Sequence, residues 1–345
     1  MIFEQITTGG CLSYLLGCSE SNAAVIIDPE ATRTDRYLGL AARDGLRIHY
    51  VIDTHTHADH FSGARAVAAA TGALIVMNKL SPFPFADLRL DDGEILKVGD
   101  LKLQALLTPG HTRDSMSIYA EDRVFTGDTL LIGGTGRSDL PTGNPDQLYD
   151  SLFNRLLKLP PETLVYPAHD YKGRSHSDIA TEIATNPRLQ KIDRAEFIAM
   201  MEHLDLAAPT HLTEALRTNL SGAKTVAGLL AEAAAKVPFV AMADLAAALE
   251  RGDAGYTLLD VREKESYLSG HISGAIHLPR GQLELRVNEL LPDPTARILT
   301  ICEFGRVSTL AAATLRDLGF TRAVALDGGT KAWREAGLPL ASGAT

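Results

Sequence analysis

Residues 54–60 read THTHADH, directly after the apolar run HYVID at 49–53. The stretch packs His55, His57, Asp59 and His60, all side chains of the kinds that bind metals, into one turn of chain. A metal site needs deprotonated, oriented ligands on a rigid support. The apolar run predicts a buried strand, so these residues leave a sheet at its C-terminal end, where loops build ligand sites. Three further candidates stand in matching contexts: His111 in TPGHT (108–112), Asp128 in FTGDT (125–129) and His169 in YPAHD (166–170). Each follows a strand-like run, and glycine or proline precedes it, which lets the backbone bring a side chain inward. One loop histidine is ordinarily an unrelated polar residue. Four clustered donors with three more in matching loops predict a metal nest.

Outward from this nest, AVIID (24–28), HYVIDT (49–54), ALIVM (73–77), LKLQALL (101–107), RVFTGD (123–128) and TLVYPAHD (163–170) read as strands. Residues 62–71 and 146–158 read as helices between them, which predicts sheets with helices packed outside. RAEFIAMMEHLDL (194–206) reads as an amphipathic helix, 207–226 as irregular chain, and an alanine-rich helix runs to Lys236. The small and polar residues of 207–236 predict a linker between a first domain at 1–206 and a second at 237–345. In the second, YTLLDVRE (256–263), RILTIC (297–302) and AVALDGG (323–329) read as strands, and STLAAATLRDLG (308–319) as a helix ending at Gly319. Strands alternating with helices predict a small parallel α/β unit.

Composition narrows the function. The chain has 345 residues, 45% hydrophobic and 22% charged, as an ordinary globular protein of about two domains would. A net charge of −10 disfavours a nucleic-acid partner, which needs a basic face. No run approaches the roughly 18 apolar residues of a membrane span, and MIFEQITTGG lacks the regions of a signal peptide. The three cysteines cannot build a disulfide framework, so a reducing, cytoplasmic setting is expected. Nothing in the composition decides between a monomer and a homo-oligomer.

THTHADH, TPGHT, TGDTL and YPAHDY, in this order, resemble the metallo-β-lactamase superfamily, whose fold is a four-layer αββα sandwich. The resemblance to its dizinc hydrolases implies that His55, His57 and His111 hold one metal, with Asp59, His60 and His169 on a second and Asp128 bridging. GCLSYLLG (10–17), VIIDP (25–29), GRSDL (136–140), YPAHDYKG (166–173) and NPRL (186–189) resemble the persulfide dioxygenases more closely, over about 1–205. That resemblance implies one Fe(II) per chain on His55, His111 and Asp128, with His57, Asp59, His60 and His169 supporting from behind the ligands. It further implies that Arg137 positions a thiol persulfide, while Tyr171 is placed to donate a hydrogen bond to substrate or oxygen. Two imidazoles and a carboxylate leave positions on iron open for O₂ and sulfur, whereas zinc has no redox chemistry. Every dizinc donor is nevertheless present, so the flanking motifs, not the ligands, favour iron.

Cys302 ends an apolar strand and opens CEFGRVS (302–308), which leads into a helix. Backbone N–H groups and the positive end of a helix dipole stabilise an anion on sulfur there. LLDVREKESYLSGHISGAIHLP (258–279), CEFGRVS and LDGGTKAW (326–333) resemble a rhodanese domain over about 237–343. The resemblance implies a parallel-sheet α/β fold in which Cys302 carries a persulfide sulfur, cradled by Glu303, Phe304, Gly305, Arg306 and Val307. Asp260 and Arg262 then brace the fold, and Trp333 lies in the core. The usual basic residue before the serine is replaced by Val307, with Arg306 one place earlier. Cys11 and Cys18 have no such context and read as structural.

The combined expectation is a dioxygenase converting a low-molecular-weight thiol persulfide, glutathione persulfide foremost, with O₂ to sulfite and thiol. It is joined to a sulfurtransferase moving sulfane sulfur between thiosulfate, thiol persulfide and sulfite. The alternatives are a dizinc, glyoxalase II-like thioester hydrolase with a sulfurtransferase domain, or a non-enzymatic sulfur carrier or sensor.

Overall fold

The computed structural model describes residues 1–190, 193–204, 206, 212–252 and 254–343. Two compact units divide the chain, Met1–Ala223 and Lys224–Thr345. No helix among the described residues is long and apolar enough to cross a membrane.

In chain order the first unit contains β1 (Ile2–Thr8), β2 (Cys11–Gly17), β3 (Ala23–Ile27), α1 (Thr34–Arg43), β4 (Arg47–Ile52), α2 (Ala64–Thr71), β5 (Leu74–Asn78) and β6 (Leu88–Leu90). There follow β7 (Ile95–Val98), β8 (Leu101–Leu107), β9 (Met116–Ala120), β10 (Arg123–Gly127), β11 (Leu130–Leu131), β12 (Gly134–Thr135) and α3 (Pro145–Phe153). The unit closes with β13 (Leu164–Pro167), β14 (Ser177–Asp178), α4 (Ile179–Thr185), α5 (Arg194–Glu202) and α6 (Leu212–Ser221). One six-stranded sheet has the order β1-β2-β3-β4-β5-β6 and the other β14-β13-β10-β9-β8-β7.

Side-chain alternation makes the layers. Val25 and Ile27 of β3 face inward and meet Leu103, Ile118 and Phe125 of the second sheet. Ala24 and Ile26, on the opposite face, pack under Tyr37 and Leu40 of α1 and Val67 of α2. Val124 and Val165 pack likewise against Leu148 and Leu152 of α3 and Phe197 of α5. The result is the expected αββα sandwich. β8 and β10 run antiparallel to β9, and β13 runs parallel to β10. The ends of β8, β10 and β13 therefore emerge on one edge.

The second unit contains α7 (Val226–Lys236), β15 (Phe239–Val240), α8 (Met242–Glu250), β16 (Thr257–Asp260), α9 (Lys264–Ser269) and β17 (Ile276–His277). After these come α10 (Leu283–Leu290), β18 (Ile298–Ile301), α11 (Arg306–Asp317), β19 (Val324–Leu326) and α12 (Gly329–Glu335). All strand pairs of its sheet, ordered β15-β19-β18-β16-β17, are parallel. Leu259 and Ile298 face α10 and α11, while Leu258 and Leu299 face the layer holding Tyr267 and Trp333.

The segment read as an irregular linker differs. Residues 207–211 lie outside the described residues, but 212–221 are helical and belong to the first unit, and α7 belongs to the second. α6 is fixed by polar contacts that sequence periodicity does not register: Asn219 bonds the nest loop, and Arg65 donates to Gly222 O. α7 is capped by the Thr225 hydroxyl, which accepts from Gly228 N.

Asp260 is fully buried and braces the second unit by pairing with Arg262, whose Nη2 lies 2.6 Å from Asp260 Oδ2. Arg262 also donates to Gly270 O and Glu303. Asp260→Ala would strand a buried guanidinium, and its expected cost is about 3–5 kcal/mol. Urea unfolding followed by Trp333 fluorescence checks this, because the chain has a single tryptophan and it lies in this unit.

Candidate functional site

The nest assembles where the strand ends meet. Thr54–His60 follows β4, His111 follows β8, Asp128 follows β10 and His169 follows β13. His55, His111 and Asp128 each bring one donor atom to a cluster in which these atoms lie within 4.8 Å of one another, and all three side chains are buried. Two glycines permit the approach. Gly127 has φ +52°, and a Cβ there would meet Thr54 Oγ1 at 2.6 Å. A Cβ on Gly136 would lie 1.9 Å from Asp128 O and 2.9 Å from His111 Nδ1.

Behind each of the three donors, the partner atom is already held. His55 Nδ1 is 3.0 Å from Thr54 Oγ1, and its Nε2 is buried without a hydrogen-bond partner. His111 Nδ1 lies 2.7 Å from Arg137 O, and its Nε2 is 3.6 Å from Asp128 Oδ2. Asp128 Oδ1 is 2.6 Å from His169 Nδ1. Oriented ligands with their outer atoms engaged and their inner atoms free are what a metal requires. The residues present fit one.

Electrostatics divide the nest. Burial, then the neighbouring His57, lowers His55 to about 3, so it stays neutral and able to ligate. Burial likewise holds His57 well below its ordinary value. For His60 and His169 burial pulls down but is outweighed. Asp59 and Cys11 lift His60 to about 10, and Asp128 and Asp59 hold His169 well above its ordinary value. Burial would raise Asp128 and Asp59, but the histidines, His169 first, keep both well below the usual carboxylate range.

The other expected residues are placed as follows. His57 turns its Nε2 toward Asp28 Oδ1 at 3.2 Å. Asp59 lies between His60, 3.2 Å from its Nδ1, and His169, 2.8 Å from its Nε2 but out of line for a hydrogen bond. A cavity of about 720 Å³ opens over the cluster, lined among others by Asp59, His111, Asp128, Arg137, His169 and Tyr171. Arg137 is paired with Asp139 at 2.6 Å and donates to Leu206 O. The exposed Tyr171 ring stacks on His169 at 5.9 Å. Arg137 thus lines the cavity and also holds His111 through its carbonyl.

Three supports of the nest were not among the expected site residues. Asp28 is buried and accepts from Thr54 N at 2.7 Å and Thr54 Oγ1 at 2.9 Å. Asp114 accepts from Thr56 N and Oγ1 at 3.1 and 2.6 Å. Asn219, on α6, donates to His57 O and His60 O, both at 2.8 Å, and accepts from Ser62 N at 3.0 Å. Cys11 also differs from its structural reading: it lines the cavity and clusters with His60 and His169. Burial raises its thiol pKa, but the two imidazoles, His169 first, bring it below its ordinary value.

In the second unit Cys302 follows β18 and is buried, its Sγ 3.3 Å from Ser308 Oγ. Gly305, at φ +81°, turns the chain into α11, and Ser308 and Thr309 bond its carbonyl. The loop is pinned from below, since Thr330 N donates to Cys302 O at 2.9 Å and Lys331 N to Glu303 O at 3.0 Å. Glu303 is held by Arg262, Thr330 and Arg334. Phe304 and Val307 are exposed at the rim. Glu303, Phe304, Gly305, Arg306 and Val307 therefore follow the thiol directly, as a cradle would.

Asn219→Ala removes two bonds to the backbone of the nest without touching a donor atom. Metal affinity is expected to fall about 10–100-fold, read as faster loss of metal to a chelator with an unchanged far-UV circular dichroism spectrum. Wild-type retention would mean that Asp28 and Asp114 hold the loop unaided.

The comparisons with known proteins agree with this architecture. Residues 6–169 match the family described as Metallo-beta-lactamase superfamily, and residues 241–336 the Rhodanese-like domain. The mitochondrial persulfide dioxygenase ETHE1 of Homo sapiens is 37% identical over 222 residues, 64% of this chain and 86% of the relative. A hydroxyacylglutathione hydrolase of Polaromonas is 37% identical over 180 residues, 50% of this chain and 67% of the relative. The crystal structure of ETHE1 from Myxococcus xanthus superposes with a TM-score of 0.63 at 43% identity, over 65% of this chain and all of that one. The chain belongs to the persulfide dioxygenase family of the metallo-β-lactamase superfamily, and it carries a rhodanese-like domain after the metal-binding one.

Proposed function

We propose that the first unit oxidises a low-molecular-weight thiol persulfide and that the second transfers sulfane sulfur through Cys302. One observation favours oxidation over hydrolysis. The cluster around His55 and His111 is completed by Asp128, and no cluster among the described residues joins His57 to them. His57 faces Asp28 instead. A site with two imidazoles and one carboxylate suits Fe(II), which when bound supplies open positions and the redox chemistry that zinc lacks.

The chain's own residues would do the rest. His55, His111 and Asp128 hold the metal, and Arg137 O fixes the ring of His111. Arg137 and Tyr171 line the cavity wall where an anionic thiol substrate enters, with glutathione persulfide the candidate. The net reaction takes RSSH, O₂ and H₂O to RSH, sulfite and two protons. The terminal sulfur loses four electrons, and O₂ gains them. Asp59 and His169 face the same cavity. In the second unit the Cys302 thiolate takes the outer sulfur of thiosulfate and releases sulfite. Its persulfide then passes that sulfur to a thiol, and the reverse direction uses the same groups. Sulfite and a thiol persulfide are thus common to both units' chemistry.

Protein supplied with iron is expected to hold about one Fe per chain and to consume O₂ with glutathione persulfide. His111→Ala should lose both, because a ligand is removed rather than a contact. Two zincs per chain, thioester hydrolysis and no O₂ uptake would overturn the assignment in favour of the hydrolase.

Cys302→Ser is expected to abolish sulfur transfer from thiosulfate to a thiol, since a hydroxyl is a poor nucleophile and carries no persulfide. O₂ uptake with supplied persulfide should continue. Loss of that uptake with iron content intact would place Cys302 in the oxidation step itself.

A further inference from the structure

We propose that Cys11 is a covalent sulfur-acceptor site in the substrate cavity of the first unit. Its thiol takes the outer sulfur of the entering thiol persulfide and holds it as a cysteine persulfide. The inference rests on the thiol-persulfide reading of that cavity. It gives a role to a cysteine that neither the metal cluster nor the chemistry of Cys302 uses.

Accessibility separates Cys11 from the other thiols. Cys18 and Cys302 are buried, whereas Cys11 is half-buried and lines the same cavity as His111 and Asp128. The backbone fixes it there. Cys11 starts β2 and forms a bridge with His169. Leu12 N donates to Ala168 O at 2.7 Å and Asp170 N to Gly10 O at 2.9 Å. At Gly10, with φ +113°, a Cβ would meet the Tyr171 ring at 2.7 Å, so only glycine lets that ring lie against the chain next to Cys11.

Two buried imidazoles stand at the thiol. Cys11, His60 and His169 each bring one donor atom to within 4.8 Å of the others. His60 Nδ1 is engaged by Asp59 at 3.2 Å and His169 Nδ1 by Asp128 at 2.6 Å, which leaves Nε2 on each ring. Both Nε2 atoms are buried without a hydrogen-bond partner, in residues only 8% and 2% exposed. Asp59 Oδ2 lies 2.8 Å from His169 Nε2 but out of line. Buried polar atoms ordinarily have a partner, and a second sulfur carried on Cys11 would supply one. The rings serve the thiol in either of their states. A neutral ring takes the thiol proton, and a protonated ring pairs with the thiolate.

The exchange balances without a further reactant. The Cys11 thiolate attacks the outer sulfur of RSSH, as thiolates attack disulfide sulfur. The bond between the two substrate sulfurs breaks as the bond from Cys11 Sγ to the outer sulfur forms. Cys11–S⁻ and RSSH thus give Cys11–SSH and RS⁻, and the released thiolate takes up the proton that left Cys11. One sulfur–sulfur bond replaces another, so nothing is oxidised or reduced. The carrier thiol can then leave while its sulfur stays in the cavity.

The test is mass spectrometry of the full-length chain, with iron in its first site and Cys302→Ser removing the other sulfur carrier. The protein is mixed with glutathione persulfide without O₂, freed of excess reagent and digested, and fragmentation between Cys11 and Cys18 locates any added mass. One added sulfur atom on Cys11 is expected, and its loss in the double variant with Cys11→Ser. Locating the sulfur within the Cys11-containing protein keeps the test valid should Cys11→Ser fold poorly. No added mass, sulfur on Cys18, or a whole glutathione on Cys11, the product of attack on the inner sulfur, would overturn the site. The outcome is separable from the oxidation reading. Sulfur on Cys11 with no O₂ uptake on admitting air would sink that reading and leave the acceptor site standing. Normal uptake with Cys11 unmodified would do the reverse.

Discussion

The first unit is organised around the burial of charge. His55, His57, His60, His111 and His169 share one nest with Asp28, Asp59 and Asp128, and all but Asp59 are buried. Adjacent imidazole rings sit as close as 4.2 Å between centroids. Taking one ionised group out of water costs several kcal/mol unless a partner compensates. The nest meets that demand by sorting its members. His55 and His57 stay neutral, while His60 and His169 balance Asp59 and Asp128. His55, His111 and Asp128 are then left with donor atoms within 4.8 Å of one another, which is the condition for holding a cation.

The same demand explains the surrounding chain. Asp28, fully buried at the end of β3, has its oxygens committed to Thr54 and His57. Asp114 does the same work for Thr56 from the opposite sheet. Asp28 therefore fixes the loop after β4 within its own sheet, while Asp114 ties the two sheets at the nest, as does the apolar layer beneath. Gly127 and Gly136 are needed because the loops meet too closely for a side chain. The geometry of the site is a property of sheet edges brought together, and no single loop contains it.

The second unit solves the opposite problem at an equivalent place. There too a loop leaves the end of a parallel strand and enters a helix, and the group it presents is the thiol of Cys302. The thiol lies 3.3 Å from Ser308 Oγ in the first turn of α11. Glu303 is the one acidic residue in the loop, and it is held by Arg262, Thr330 and Arg334.

Much of this was legible in the sequence because it is encoded locally. The short apolar runs of β3 and β18 mark strands buried along their whole length. THTHADH, TPGHT, TGDT and YPAHD each place a donor just after a strand, and CEFGRVS places a thiol before a helix. Metal-binding character and two units of different chemistry follow from that alone. What local pattern cannot carry is pairing between distant residues. Asn219 reads as one polar residue in an irregular stretch, yet it closes hydrogen bonds across more than 150 residues to the nest. Cys11 reads as a structural cysteine at the start of a strand, and only the bridge to His169 sets it among the histidines. His57 and His55 are indistinguishable by type and setting in the motif. Only the folded chain turns one toward Asp28 and leaves the other free, because the choice depends on a carboxylate that arrives from another strand.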